Sequence, residues 1–149
     1  MKRSLIFGGC LWVLSPGLAW GAAVCTVSAT AVDFGTLNPF GSAVTSSGTI
    51  TVACTGGGNG QTYTIGLSTG GSGTYATRQM NSGTDLMSYN LYTSSALSSI
   101  WGDGTGGSAT VTGTGLKSTS DFAVYGKIPM PQGVTPSSYS DTIMVTVTY

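Results

Sequence analysis

Histidine and glutamate are absent from this chain, and charge of either sign is scarce: five lysines and arginines stand against five aspartates in 149 residues. Without histidine, a Ser-His-Asp or Cys-His nucleophile cannot be assembled, and the commonest transition-metal ligand is missing. A Ser–Lys pair would need Lys117 or Lys127, and both lie in strand-like segments with no nucleophile motif around them. Glycoside hydrolysis needs two carboxylates facing each other across a cleft. The five aspartates are scattered, and Asp85, Asp103 and Asp141 sit beside turns or strand starts, where aspartate usually bonds local backbone. The glycine-rich stretches at 56–58, 70–73 and 104–107 open no helix, so they form no phosphate cradle. The chain therefore reads as non-enzymatic, with no cofactor and no metal.

Long apolar runs are also missing, except at the start. Lys2 and Arg3 precede an apolar stretch from Leu5 to Trp20, interrupted by Ser15, Pro16 and Gly17. Small residues follow in Ala19-Trp20-Gly21-Ala22-Ala23. This is the pattern of a secretory signal peptide, residues 1–23, with cleavage expected after Gly21 or Ala23. The run is too short and too broken to span a bilayer comfortably, so no stable membrane insertion is expected. The remaining domain, 24–149, keeps Arg78, Lys117 and Lys127 against Asp33, Asp85, Asp103, Asp121 and Asp141, a net charge of −2. That balance is of the wrong sign for nucleic acid.

Cys10 belongs to the leader, which leaves Cys25 and Cys54 as an even pair in a chain bound for an oxidising compartment. A bridge between them closes a loop of about 30 residues and would stabilise the fold by roughly 3.6 kcal/mol in the chain-entropy picture.

Glycine, serine and threonine dominate the domain, yet apolar residues recur in short alternating runs, the period of half-buried strands. The pattern predicts strands over 24–34, 49–54, 62–68, 78–80, 86–92, 110–117, 122–128 and 142–149. Asn59-Gly60 predicts a tight hairpin between the second and third, because both residues tolerate positive φ. No helix is expected after residue 24. Many short strands with frequent turns point to a sandwich rather than a parallel sheet. Trp101 is expected to pack inside it. Arg78, the one arginine of the domain, is expected to pair with an aspartate or with backbone carbonyls.

The last run, Thr142 to Tyr149, is the longest clean alternation and reaches the final residue. So apolar a strand normally lies inside a sheet, since open edges invite uncontrolled pairing. Either an earlier strand covers its far side, or that edge receives a strand from another polypeptide.

Several pieces carry a resemblance: Cys25-Thr-Val, Phe34-Gly35, Gly48-Thr-Ile-Thr-Val-Ala-Cys54, Arg78-Gln-Met80, Leu86-Met-Ser-Tyr-Asn-Leu-Tyr92, Trp101-Gly102, Val124-Tyr-Gly-Lys-Ile128 and Tyr139-Ser-Asp-Thr-Ile-Met-Val-Thr-Val-Thr-Tyr149. In this order they resemble the spore coat protein U domain of archaic chaperone–usher pilus subunits. The resemblance implies an all-β, immunoglobulin-like sandwich lacking its final strand. It also implies three partners: a periplasmic chaperone that lends a strand, an outer-membrane usher, and a neighbouring pilus subunit that donates the permanent one. Ile143, Val145 and Val147 would floor the acceptor groove, with Tyr149 carrying the terminal carboxylate. Only one to three residues precede Cys25 after leader cleavage, which leaves no donor arm and suggests a position at or near the tip of a surface pilus serving attachment and biofilm formation. Two alternatives stay open: an adhesin or binding module using apolar loops, with Phe40, Leu97 and Val134 as contact residues, and a coat or matrix protein outside any pilus.

Overall fold

The structure, a computed structural model, describes residues 22–149. The expected leader up to residue 21 lies outside the described residues. Eight strands follow in order: β1 Val24–Ala29, β2 Val44–Thr55, β3 Thr62–Leu67, β4 Arg78–Asn81, β5 Leu86–Tyr92, β6 Val111–Thr114, β7 Thr119–Ile128 and β8 Val145–Thr148. They form two sheets, one ordered β1-β2-β7-β5-β4 and one ordered β6-β3-β8, with every pairing antiparallel. This is an immunoglobulin-like β-sandwich. Among the described residues the single helical feature is a 3-10 turn at Gly70–Ser72.

Alternation builds the core. Ile50, Val52 and Cys54 point inward from β2, Tyr63, Ile65 and Leu67 from β3, and Val124 and Ile128 from β7, all buried. Threonines and serines at the intervening positions face outward, as period-2 geometry requires. Trp101 is fully buried between the sheets, and its indole N–H donates to the Ile65 carbonyl at 3.0 Å. The Cys25–Cys54 disulfide joins residues directly opposite each other in the β1–β2 ladder.

Three strand boundaries shift, since β2 begins at Val44, β6 stops at Thr114 and β7 begins at Thr119, and three further expectations need correction. The first strand ends at Ala29 rather than running to residue 34. Thr30 N–H still donates to Thr49 O (2.9 Å), but Thr49 N–H turns to the Thr30 hydroxyl (2.8 Å), so a side chain replaces the next ladder carbonyl. Second, Asn59-Gly60 makes no hairpin: β2 and β3 belong to different sheets. The connecting loop is held instead by Gly115 and Leu116, through Gly57 N–H to Leu116 O (3.2 Å) and Gly115 N–H to Gln61 O (2.8 Å). Third, regular pairing in the last strand covers only Val145–Thr148, although Met144 extends the contact through two bonds with Ser68 at 2.9 Å.

Candidate functional site

β8 pairs with β3 along one flank, from Leu67↔Val145 to Thr64↔Thr148. Among the described residues no strand pairs with its other flank. β1 is likewise paired on one side only, with β2. A seam thus runs between the two sheets, bordered by two strand edges whose outward N–H and C=O groups have no ladder partner.

Beneath the seam lies an apolar groove of about 550 Å3. One wall is the segment from Ala29 to Phe34, and the other runs from Tyr139 to Val145. Ile50, Leu67, Met80, Tyr89, Leu91 and Val124 form the floor. A second cavity of about 480 Å3 adjoins it past Val32–Phe34 and Tyr139, floored by Met80, Met87 and Ile128. At the opposite end the seam narrows, where Cys25 N–H donates to the Tyr149 hydroxyl at 3.3 Å.

Two glycines shape the first wall. A Cβ on Gly48 of β2 would stand 2.7 Å from the Thr30 carbonyl oxygen. One on Gly126 of β7 would stand 2.6 Å from Phe34 Cζ and 2.7 Å from Val32 Cγ1. Their bare surfaces let residues 30–34 leave the β1 ladder and cross over β2 and β7. Phe34 then meets the Tyr89 ring edge-on, with centroids 6.4 Å apart.

The second wall is positioned by Asp141. Its carboxylate accepts the Tyr89 hydroxyl (2.7 Å), Gly71 N–H (2.9 Å) and its neighbour Thr142 N–H (2.8 Å). Burial, followed by the bond to Asp141, pushes the Tyr89 phenol well above its ordinary range, so it stays a neutral donor.

Behind the groove sits Arg78, with none of its surface exposed. Nε and Nη2 both donate to Ser68 O (3.0 and 2.8 Å), Nη2 also to Trp101 O (2.7 Å), and Nη1 to Asn90 Oδ1 (2.8 Å). The guanidinium lies 5.2 Å from the centre of the Tyr75 ring. Its expected partner was an aspartate or backbone carbonyls, and carbonyls hold it, joined by one amide. Burial lowers its pKa from the usual arginine value. No face of Arg78 is left for a ligand.

The expected groove residues divide by position. Ile143 and Val145 line the groove. Val147 packs half-buried against the core further along the strand. Tyr149 is 53% exposed and sits at the narrow end. Of the contact residues, Phe40 is 82% exposed on a turn braced by Asn38, whose carbonyl takes Gly41 N–H (2.9 Å) and whose side chain takes Phe40 N–H (3.1 Å). Val134 is half-buried and lines the second cavity. Their loops touch, through Gln132 N–H to Pro39 O at 3.0 Å. Leu97 is not with them. It follows the C-terminal end of β5, whereas Val134 follows that of the antiparallel neighbour β7, so the two lie at opposite ends. Val32, Phe34, Tyr89 and Asp141 belong to the site and were not expected there. The alternation of Val32 and Phe34 was their only local signal.

The described residues thus form a two-sheet sandwich whose β1 and β8 edges face each other over an apolar groove. The chain belongs to the Spore Coat Protein U domain family, whose model matches residues 18–146. No curated protein matches it. Among solved structures it is similar to a chain of the "CsuC-CsuE chaperone-tip adhesion subunit pre-assembly complex from archaic chaperone-usher Csu pili of Acinetobacter baumannii", with a TM-score of 0.59 and 21% identity. The likeness covers 86% of this chain and 40% of that one, so this chain spans well under half the length of its structural neighbour. At that identity the likeness establishes the shared fold.

Proposed function

We propose that this protein is an exported, strand-accepting structural subunit of a chaperone–usher pilus. The observation that carries the reading is the unpaired flank of β8 above the groove walled by Ala29–Phe34. An inserted strand would satisfy the bare backbone edges and place alternate apolar side chains over Ile50, Leu67 and Val124. The family and the fold shared with a pilus subunit complex support it. In this reading residues 1–23 direct export and are removed. A periplasmic chaperone then fills the groove first, and an outer-membrane usher exchanges its strand for that of a neighbouring subunit. We assign Ile143, Val145 and Val147 to the strand-facing side of β8, with Tyr149 at the groove's end. A position at or near the tip, serving attachment and biofilm formation, is the finer form of the proposal, and the tip subunit named in the neighbouring complex supports it. One observation favours a second reading as a surface-binding module: the exposed, hydrogen-bonded presentation of Phe40.

The test is co-expression. Secreted with its cognate chaperone, the mature chain should be recovered as a one-to-one complex, and without it should be degraded or aggregated. A synthetic donor strand added afterwards should raise the melting temperature. Recovery of a stable monomer without chaperone, with no response to donor peptides, would overturn the proposal.

A further inference from the structure

The few charges of this domain are unevenly placed. Asp33 and Asp141 both line the groove. Asp85 accepts Thr135 N–H at 2.9 Å, and Thr135 lines the adjoining cavity, so a third carboxylate stands near the same opening. No lysine of the described residues lines the groove, and the one arginine is buried behind it. Arg78 is wholly buried and spent on Ser68, Trp101 and Asn90. Lys127 lies on the outer face of β7, out of phase with the buried Val124, Gly126 and Ile128. Lys117 belongs to the turn at 115–118, which packs against residues 57–61 near the narrow end.

Neither groove carboxylate has a charged hydrogen-bond partner, although the buried Arg78 guanidinium acts on Asp141 through space. The donors on Asp141 are a phenol and two backbone amides, all uncharged. Asp33 is exposed and takes a single bond, from Gly35 N–H at 2.8 Å. A cleft of low-dielectric walls with charge of one sign at its mouth focuses the field outward and speeds arrival of the opposite charge.

We propose that the segment filling this groove is basic: an alternately apolar strand carrying lysine or arginine where it passes Asp33 and Asp141. The proposal rests on the strand-accepting reading. The apolar floor admits no charge, so the basic residues belong at outward-facing or flanking positions of the incoming strand. Their effect falls on association rate more than on the final complex, because the rim is open to solvent.

Three synthetic strands with identical apolar positions, flanked by two lysines, two glutamines or two glutamates, separate the possibilities. Binding to the full mature chain, purified or displaced from its chaperone, is followed by stopped-flow fluorescence. At about 20 mM salt the lysine strand should associate on the order of tenfold faster than the glutamate strand, with glutamine between them. At about 1 M salt, where the screening length shrinks to about 3 Å, the spread should collapse. Asp33→Asn, which keeps the acceptor for Gly35 N–H, should narrow the spread at low salt. Equal rates for the three strands, or a faster glutamate strand, would overturn the charge proposal and leave the strand-accepting reading standing. Failure of every strand to bind would overturn both.

Discussion

The backbone N–H of Cys25 donates to the hydroxyl of Tyr149, 3.3 Å away, joining the start of β1 to the residue just past β8. The two residues are 124 positions apart in sequence, and the strands they flank belong to different sheets. Their contact draws the seam together at one end, while Ala29–Phe34 and Tyr139–Val145 stand apart at the other, with the groove between them.

Tyr149→Phe removes this bond and little else, since the ring is half in solvent. Stability in urea should fall by less than about 1 kcal/mol, the worth of one exposed neutral hydrogen bond. Amide exchange at Cys25 should rise clearly. An unchanged exchange rate there would show that the bond does not hold the seam.

Gly48→Ala and Gly126→Ala test the wall. At Gly48 the obstacle is the backbone oxygen of Thr30 at 2.7 Å, which cannot rotate away. At Gly126 the obstacles are the side chains of Phe34 and Val32. Both substitutions should destabilise by about 1–3 kcal/mol, in the range of overpacked cores. Both should also weaken donor-strand binding, because they displace residues 30–34. Wild-type binding by a destabilised Gly48→Ala variant would separate the wall from the groove's function.

Arg78→Met keeps much of the side chain's bulk and removes four donated bonds. Ser68 O and Trp101 O then lose their charged donor inside the protein, while Asn90 Oδ1 keeps the Leu91 N–H at 3.1 Å, and each unsatisfied buried acceptor costs about 1–3 kcal/mol. A loss of about 3 kcal/mol or more in chemical unfolding is expected. Arg78→Lys should recover only part of it, since an ammonium cannot fork onto Ser68 O and also reach Asn90 and Trp101. Full recovery by lysine would show that charge alone, not the planar fork, is what the site requires.

Asp85 gives a pH dependence with a definite sign. The Thr135 hydroxyl, and then its backbone N–H, hold the Asp85 carboxyl below the ordinary value of 3.8. A carboxylate whose folded pKa is lowered contributes stability above pH 3.8, and the contribution disappears as pH falls through the lowered value. The Thr135 amide resonance should therefore titrate below pH 3.8, as the loop at 134–139 loosens from the turn at 82–85. Asp85→Asn should abolish that titration. A Thr135 amide indifferent to acid would refute the anchoring role.

β5 was legible to the residue, because Leu86–Tyr92 alternates cleanly between turn residues, and β3 and β4 fell within a residue of expectation for the same reason. The burial of Trp101 and the pairing of Cys25 with Cys54 were legible too, the first from residue type and the second from the even cysteine pair left after residue 24. The extent of the first strand and the destination of the Asn59-Gly60 turn were not. Local propensity favours a hairpin there, but β2 already has β1 and β7 as neighbours and its inward side chains pack against those of β3 across the core. Tertiary packing overrode the turn.

By itself, the amino-acid sequence determined that the chain is all-β, where most of its strands lie, that two cysteines bridge, and that histidine-based chemistry is absent. Period-2 alternation and residue chemistry are local, so no knowledge of neighbours is needed to read them. Only the tertiary structure decided that β8 is left bare on one flank, that residues 30–34 cross over Gly48 and Gly126 to wall a groove, and that Asp33 and Asp141 stand at its mouth. Those relations join segments well separated in sequence, and alternation, which says which way a side chain faces, carries no record of which strand lies beside it.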